Sequence, residues 1–180
     1  MTYSEKGALG DPAPDFRLAG VDGKEYTLAS FKDARALVVA FICNHCPYVI
    51  AVRGRINALA RELEGKGVRL VAINSNDAVA YPDDNLDSMK KVAREQGYVF
   101  PYLFDETQSV AHAYGAVCTP DFYLFDGARK LRYRGRLDDS WREEKAVKKR
   151  DLLAATEALL VGQSPAVEQF PSMGCSLKWK

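Results

Sequence analysis

A mixed α/β fold, with a central sheet flanked by helices, is predicted by three features of the sequence. Residues Ala36-Leu-Val-Val-Ala-Phe-Ile42 are continuously apolar, which suits a strand covered on both faces. Directly after it, Val49, Val52, Ile56, Leu59 and Leu63 recur at steps of three and four while Arg53, Arg55, Arg61 and Glu62 take the other side, the pattern of an amphipathic helix. Strand-like apolar runs and helical stripes then alternate along the chain, the order expected where helices pack on both faces of a sheet.

Residues 1 to 14 read as an irregular lead-in, punctuated by Gly7, Gly10, Pro12 and Pro14. Phe16 and Leu18 alternate with polar neighbours in a short strand, Asp22-Gly23 turns the chain, and Tyr26-Thr-Leu28 returns, giving an N-terminal β-hairpin extension ahead of the main sheet. Beyond the central strand and its helix, Val68 to Ile73 is the next strand and the polar run Asn74 to Asp84 a long connection. A helix carrying Leu86, Met89, Val92 and Ala93 ends at Gly97, a natural C-terminal cap. Tyr102-Leu-Phe104 is a short strand, Val110 to Tyr114 one or two helical turns, and Asp121 to Phe125 a strand that turns at Asp126-Gly127 into Leu131 to Gly135. A last helix over Glu144 to Val161 buries Val147, Leu152, Leu153, Thr156, Leu159 and Leu160, and residues 163 to 180 follow as a Pro-containing tail. The 180 residues have the length of one domain with a sizeable core.

Lys and Arg total 25 against 24 for Asp and Glu, so no strong field steers the protein to nucleic acid or to acidic membranes. The basic residues Lys145, Lys148, Lys149 and Arg150 sit among Glu143, Glu144 and Asp151 and read as a solvated helix face. No apolar run approaches the length of a membrane span, and no basic start leads into an apolar one, so a cytoplasmic location is expected. Four cysteines in a chain of this size do not form a disulfide scaffold, which turns attention to reactive or metal-binding thiols.

Cys46 falls where the buried strand has ended and the amphipathic helix begins, with Pro47 in the first helical turn. A sulfur at a helix N-terminus meets unpaired N–H groups and the positive end of the helix dipole. Both favour the thiolate, which is the nucleophile. Protonated, the neighbouring His45 would lower the pKa of Cys46 further. The junction also lies at the carboxyl end of a central strand, where open α/β sheets place their sites.

These segments resemble the thioredoxin superfamily, and most closely its peroxiredoxin-like branch, related to alkyl hydroperoxide reductases and thiol-specific antioxidant proteins. The resemblance rests on Ala13-Pro-Asp-Phe16 with Asp22-Gly-Lys24, on Phe41 to Pro47, and on Cys118-Thr-Pro-Asp-Phe-Tyr-Leu-Phe-Asp126. It implies a thioredoxin-like fold and makes Cys46 the nucleophile, matching the first cysteine of the thioredoxin Cys-x-x-Cys. Val49 then holds the second cysteine position, and Cys43-Asn-His-Cys46 is shifted upstream of the usual frame. Val39 and Cys43 stand where peroxiredoxins carry the proline and threonine of Pro-x-x-x-Thr-x-x-Cys. Thr119-Pro120 resembles the thioredoxin loop whose cis-proline faces the cysteine. The buried acid that thioredoxins keep beneath their cysteines has no counterpart in Ala36 to Ile42, leaving proton transfer to water, His45 or another thiol.

The expected activity is thiol-dependent oxidoreduction with an antioxidant role: Cys46 attacks a protein or small-molecule disulfide, or a hydroperoxide, and a second thiol resolves the product. Cys43 ranks first for that part because it shares the loop, Cys118 is the alternative through the Thr119-Pro120 loop, and Cys175 lies in the tail. No organic cofactor and no metal are required, because the electrons reside on sulfur. An external reducing thiol system would recycle the enzyme, and a homodimer is among the partners that the resemblance implies. Two other functions compete: soft-metal binding by Cys43, His45, Cys46 and Cys118, in the manner of thioredoxin-fold copper-delivery proteins, and a redox-sensing module without turnover.

Overall fold

The computed structural model describes residues 1–5, 7–166 and 168–180. Its centre is β4 (Ala36–Phe41), which pairs in parallel with β5 (Val68–Asn74) and antiparallel with β8 (Asp121–Asp126). All six residues of β4 are buried, as a strand with both faces covered requires. Outward from it, β5 pairs with β6 (Tyr102–Phe104), β6 with β2 (Arg17–Gly20), and β2 with β3 (Glu25–Thr27), while β9 (Leu131–Gly135) closes the other edge beside β8. The result is a seven-stranded mixed sheet, order β3-β2-β6-β5-β4-β8-β9.

Successive side chains of β4 alternate between two apolar layers. Val38 and Ala40 join Ile56, Leu59 and Leu63 of α1 (Pro47–Glu64), Met89 of α2 (Leu86–Glu95) and Leu152 of α4 (Asp151–Leu160). Leu37, Val39 and Phe41 join Val110 and Tyr114 of α3 (Ser109–Tyr114), with Phe16 and Phe31. Helices therefore cover both faces, and the ends of β4 and β8 are fixed firmly enough to position side chains at their rim. Among the described residues no helix is long and apolar enough to cross a membrane.

Asn57 shows how α1 is tied to its surroundings. Its side chain donates to the Gly97 carbonyl at 2.9 Å and accepts from the Val99 N–H at 3.0 Å, fastening the turn that follows α2. Gly97 takes the left-handed φ of 58° that ends this helix. Replacing Asn57 with Ala should destabilise the protein by about 1–2 kcal/mol, because it leaves the part-buried Val99 N–H and Gly97 carbonyl without this partner. Urea denaturation with an unchanged m-value would show it.

Two expectations need correction. The last helix does not begin at Glu144: Glu144–Ala146 is one 3₁₀ turn and α4 starts only at Asp151. The Asp139 carboxylate accepts from the Lys148 N–H at 2.9 Å and the Asp139 N–H donates to the Lys149 carbonyl at 3.1 Å, which holds this basic stretch extended. The β8–β9 turn follows Asp126 as expected, and within it Arg129 takes the left-handed φ of 59°. Its guanidinium binds the carbonyls of Phe31 and Ala34, which fixes a conformation that a side chain otherwise disfavours. Finally, the two ends of the chain are not irregular. β1 (Thr2–Tyr3), β7 (Cys118–Thr119) and β10 (Met173–Ser176) form a second, three-stranded sheet in the order β1-β10-β7.

Candidate active site

The register of the main sheet builds the site. Phe41 at the end of β4 lies opposite Asp121 at the start of antiparallel β8, so the residues leaving β4 face those entering β8. The first group is Ile42 to Cys46 and the second is Thr119-Pro120, whose peptide bond is cis. Cys46 is the residue before α1, extended at φ −69° and ψ 122°, with Pro47 opening the helix.

Three of the four cysteines converge here. The Cys46 sulfur lies 3.3 Å from the Thr119 carbonyl oxygen, and the Cys43 sulfur lies 3.3 Å from the Thr119 hydroxyl. On the other side of Thr119, β10 pairs antiparallel with β7 so that Cys175 stands opposite Thr119 and Ser176 opposite Cys118. Thr119 thus touches or faces all three sulfur-bearing residues. Cys43 and Cys46 are buried, and Cys175 is partly exposed.

Hydrogen bonding divides these thiols into one acid and two donors. Hydrogen bonding from Cys43 is the largest influence on Cys46. With help from the Cys175 thiol and the N–H groups of Val49 and Cys175, it outweighs burial and brings the Cys46 pKa down to about 5. The Val49 N–H belongs to the first turn of α1, at the positive end of the helix dipole. The Thr119 carbonyl opposes the others, since it favours a thiol that can donate to it. The balance of these influences leaves the thiolate favoured. Cys43 moves the opposite way, well above the ordinary thiol range, because its proton is held by Cys46, because it is buried, and because the Asp84 carboxylate is near. Burial and hydrogen bonding to Cys46 raise Cys175 to about 11.

Asp84 is fully buried and collects donors from several elements. Its Oδ1 accepts from the Asn44 N–H at 2.7 Å and from Asn74 Nδ2 at 3.2 Å; its Oδ2 accepts from Asn76 Nδ2 at 2.8 Å and lies 2.6 Å from His45 Nδ1. A buried acid therefore does lie beside the thiols, although β4 supplies none. It comes from the long connection after β5, which the sequence shows only as a polar run. His45, expected to act on Cys46, is turned toward Asp84 and stacks on Tyr81 with ring centroids 5.3 Å apart.

Cys118 sits one residue from Thr119, yet its thiol points to the Pro120 carbonyl at 4.0 Å and burial holds its pKa far above the ordinary value. By sequence Cys175 belongs to a tail, whereas β10 brings it onto the site. The signal available in the sequence was the short alternation around Gly174, too brief to separate a strand from a loop. Asn74 ends buried β5 and Asn76 follows two residues later, at the sheet's carboxyl edge where sites gather.

Cys43, His45 and Asp84 offer ligand atoms that all lie within 4.8 Å of one another, which is close enough for a metal ion. Both Asp84 oxygens are already engaged, and Cys43 is held as a thiol, so the donor set favours hydrogen bonding over coordination.

The chain is similar to several known proteins. It is 27% identical to the thiol:disulfide interchange protein DsbE of Yersinia pestis over 148 residues, 79% of this chain and 73% of that protein. It is 28% identical to the thiol-disulfide oxidoreductase ResA of Geobacillus thermodenitrificans over 125 residues, 69% of this chain and 67% of that one. Among solved structures, that of a hypothetical protein from Sinorhizobium meliloti is 46% identical and superposes with a TM-score of 0.96, covering 100% of this chain and 99% of the other. More distant neighbours establish the thioredoxin-like fold. Residues 9–134, which hold β2 through most of β9, match the AhpC/TSA family, and the chain belongs to that family of redox proteins.

Proposed function

We propose that the protein is a thiol-disulfide oxidoreductase in which Cys46 is the nucleophile. The observation that carries this reading is the sulfur of Cys46 at the N-terminus of α1, ringed by the Cys43 and Cys175 thiols that favour its ionisation. The Cys46 thiolate attacks one sulfur of a substrate disulfide, forms a mixed disulfide and expels the other sulfur as a thiolate. A second protein thiol then attacks Cys46 and releases the rest of the substrate. External thiols return the enzyme to its reduced state. The family relationship and the resemblance to DsbE and ResA support a disulfide substrate. A hydroperoxide is the less favoured substrate, because Cys43 stands where peroxiredoxins use a threonine hydroxyl.

Alkylation by iodoacetamide, with the modified residue located by mass spectrometry, tests the assignment. A thiolate forms above its pKa, so the rate at Cys46 should be level at neutral pH and fall as pH drops through about 5. An ordinary thiol would instead reach half its maximum near pH ~8.5. A midpoint there, or preferential modification of another cysteine, would remove Cys46 from this role. A second reading, a soft-metal site at Cys43, His45 and Asp84, is less favoured because both Asp84 oxygens already accept hydrogen bonds; equimolar zinc or copper retained by the purified protein would support it.

A further inference from the structure

The C-terminal segment is built onto the active site. Ser172 to Lys180 is fastened along its length. The Ser4 N–H donates to the Ser172 carbonyl at 2.9 Å, the Leu177 N–H to the Val117 carbonyl at 2.9 Å, and the Lys178 N–H to the Asn76 side-chain oxygen at 2.9 Å. The Trp179 ring stacks on His112 with centroids 4.1 Å apart. Between these anchors β10 lies against the Thr119-Pro120 loop so closely that a Cβ on Gly174 would collide with the Thr119 carbonyl. Cys175, the next residue, packs on the apolar layer that contains Cys43 and Cys46. Cys46 itself has no exposed surface, so β10 forms part of its enclosure.

We infer that Cys175 on β10 is the thiol that resolves the mixed disulfide on Cys46, so that the oxidised enzyme carries a Cys46–Cys175 disulfide. This rests on Cys46 being the nucleophile. Burial and partners distinguish the two thiols that gather with Cys46 around Thr119. Cys43 is buried, hydrogen-bonded to Thr119 and adjacent to the Asp84 carboxylate, which opposes the thiolate that resolution needs. Cys175 is partly exposed and stands opposite Thr119 on β10, so water or the departing thiolate can take its proton. Cys43 then serves as a positioning residue, holding a proton toward Cys46. The balance is complete. Cys46 as thiolate displaces one substrate thiolate; Cys175, deprotonated, attacks the Cys46 sulfur, whose bond to the remaining substrate sulfur breaks and releases the second thiolate. The two electrons that reduce the substrate disulfide come from the sulfurs of Cys46 and Cys175, and an external dithiol restores both.

The test oxidises the full chain with 5,5′-dithiobis(2-nitrobenzoate), followed by non-reducing tryptic mapping and by release of nitrothiobenzoate. Cys43 and Cys46 lie together on the peptide 36–53, Cys118 on 95–129 and Cys175 alone on 151–178. The expected product joins 36–53 to 151–178 and releases a second equivalent of nitrothiobenzoate. Cys43→Ser should keep that crosslink and the second release, and Cys175→Ser should stop at a stable mixed disulfide on Cys46. A link within 36–53, a link to 95–129, or no crosslink in the unmutated chain would overturn the proposal, and none of these requires a variant to fold. If the reagent is retained on a residue other than Cys46 in the Cys175→Ser protein, the nucleophile assignment fails instead.

Discussion

Cys46→Ser is expected to reduce disulfide turnover to background, a loss of roughly 10³-fold or more, since removal of a nucleophile leaves only binding to assist the reaction. The fold should survive, because the serine hydroxyl replaces the sulfur at a helix N-cap that favours it. The measurement is steady-state reduction of a model disulfide with an external dithiol as electron donor. A variant that keeps more than a tenth of the parental rate would transfer the chemistry to another thiol. Cys118→Ser provides the internal comparison, with turnover near that of the parent, because its thiol is buried and directed away toward the Pro120 carbonyl.

Asp84→Ala should have the largest effect on stability, about 3–5 kcal/mol, because a buried carboxylate with several partners is removed and its donors are left facing one another. Asn44 loses an acceptor for its N–H and Asn74 and Asn76 lose theirs for side-chain amides, all at one fully buried position. Asp84→Asn keeps the shape but supplies one acceptor oxygen instead of two, so a smaller loss is expected. Urea unfolding of both variants gives the order; equal stabilities would mean that water satisfies these groups. The two substitutions also act on Cys43. Asp84 is one of the groups holding its pKa up, so removing the charge should let Cys43 ionise at lower pH.

The sequence carries the architecture because its main strands and helices are long or strongly patterned. Six consecutive apolar residues in β4 and the three-four spacing on α1 admit few alternatives, and Pro47 marks the helix start. The position of Cys46 follows from these local signals. What surrounds it does not. Asp84 reaches the thiols through a connection whose path is set by Asn44, Asn74 and Asn76, and each of those residues alone looks like an ordinary loop polar group. The strand containing Cys175 has only four residues, and its pairing with β1 and β7 is entirely long-range. The same limit explains the last helix: its apolar spacing continues upstream of Asp151, but Asp139 competes for the backbone there.

The small sheet β1-β10-β7 is held by two residue pairs at each junction, far fewer than the main sheet, yet it roofs the Cys46 sulfur. Chemistry at Cys46 is then the product of two quantities, the equilibrium for parting this roof and the nucleophilicity of the sulfur once bared. The closed form dominates, so its acidity fixes the pH at which reactivity rises, while the fraction parted fixes how high it climbs. Hydrogen exchange at the Leu177 and Lys178 amides reports that fraction directly, far along the chain from the atom it governs.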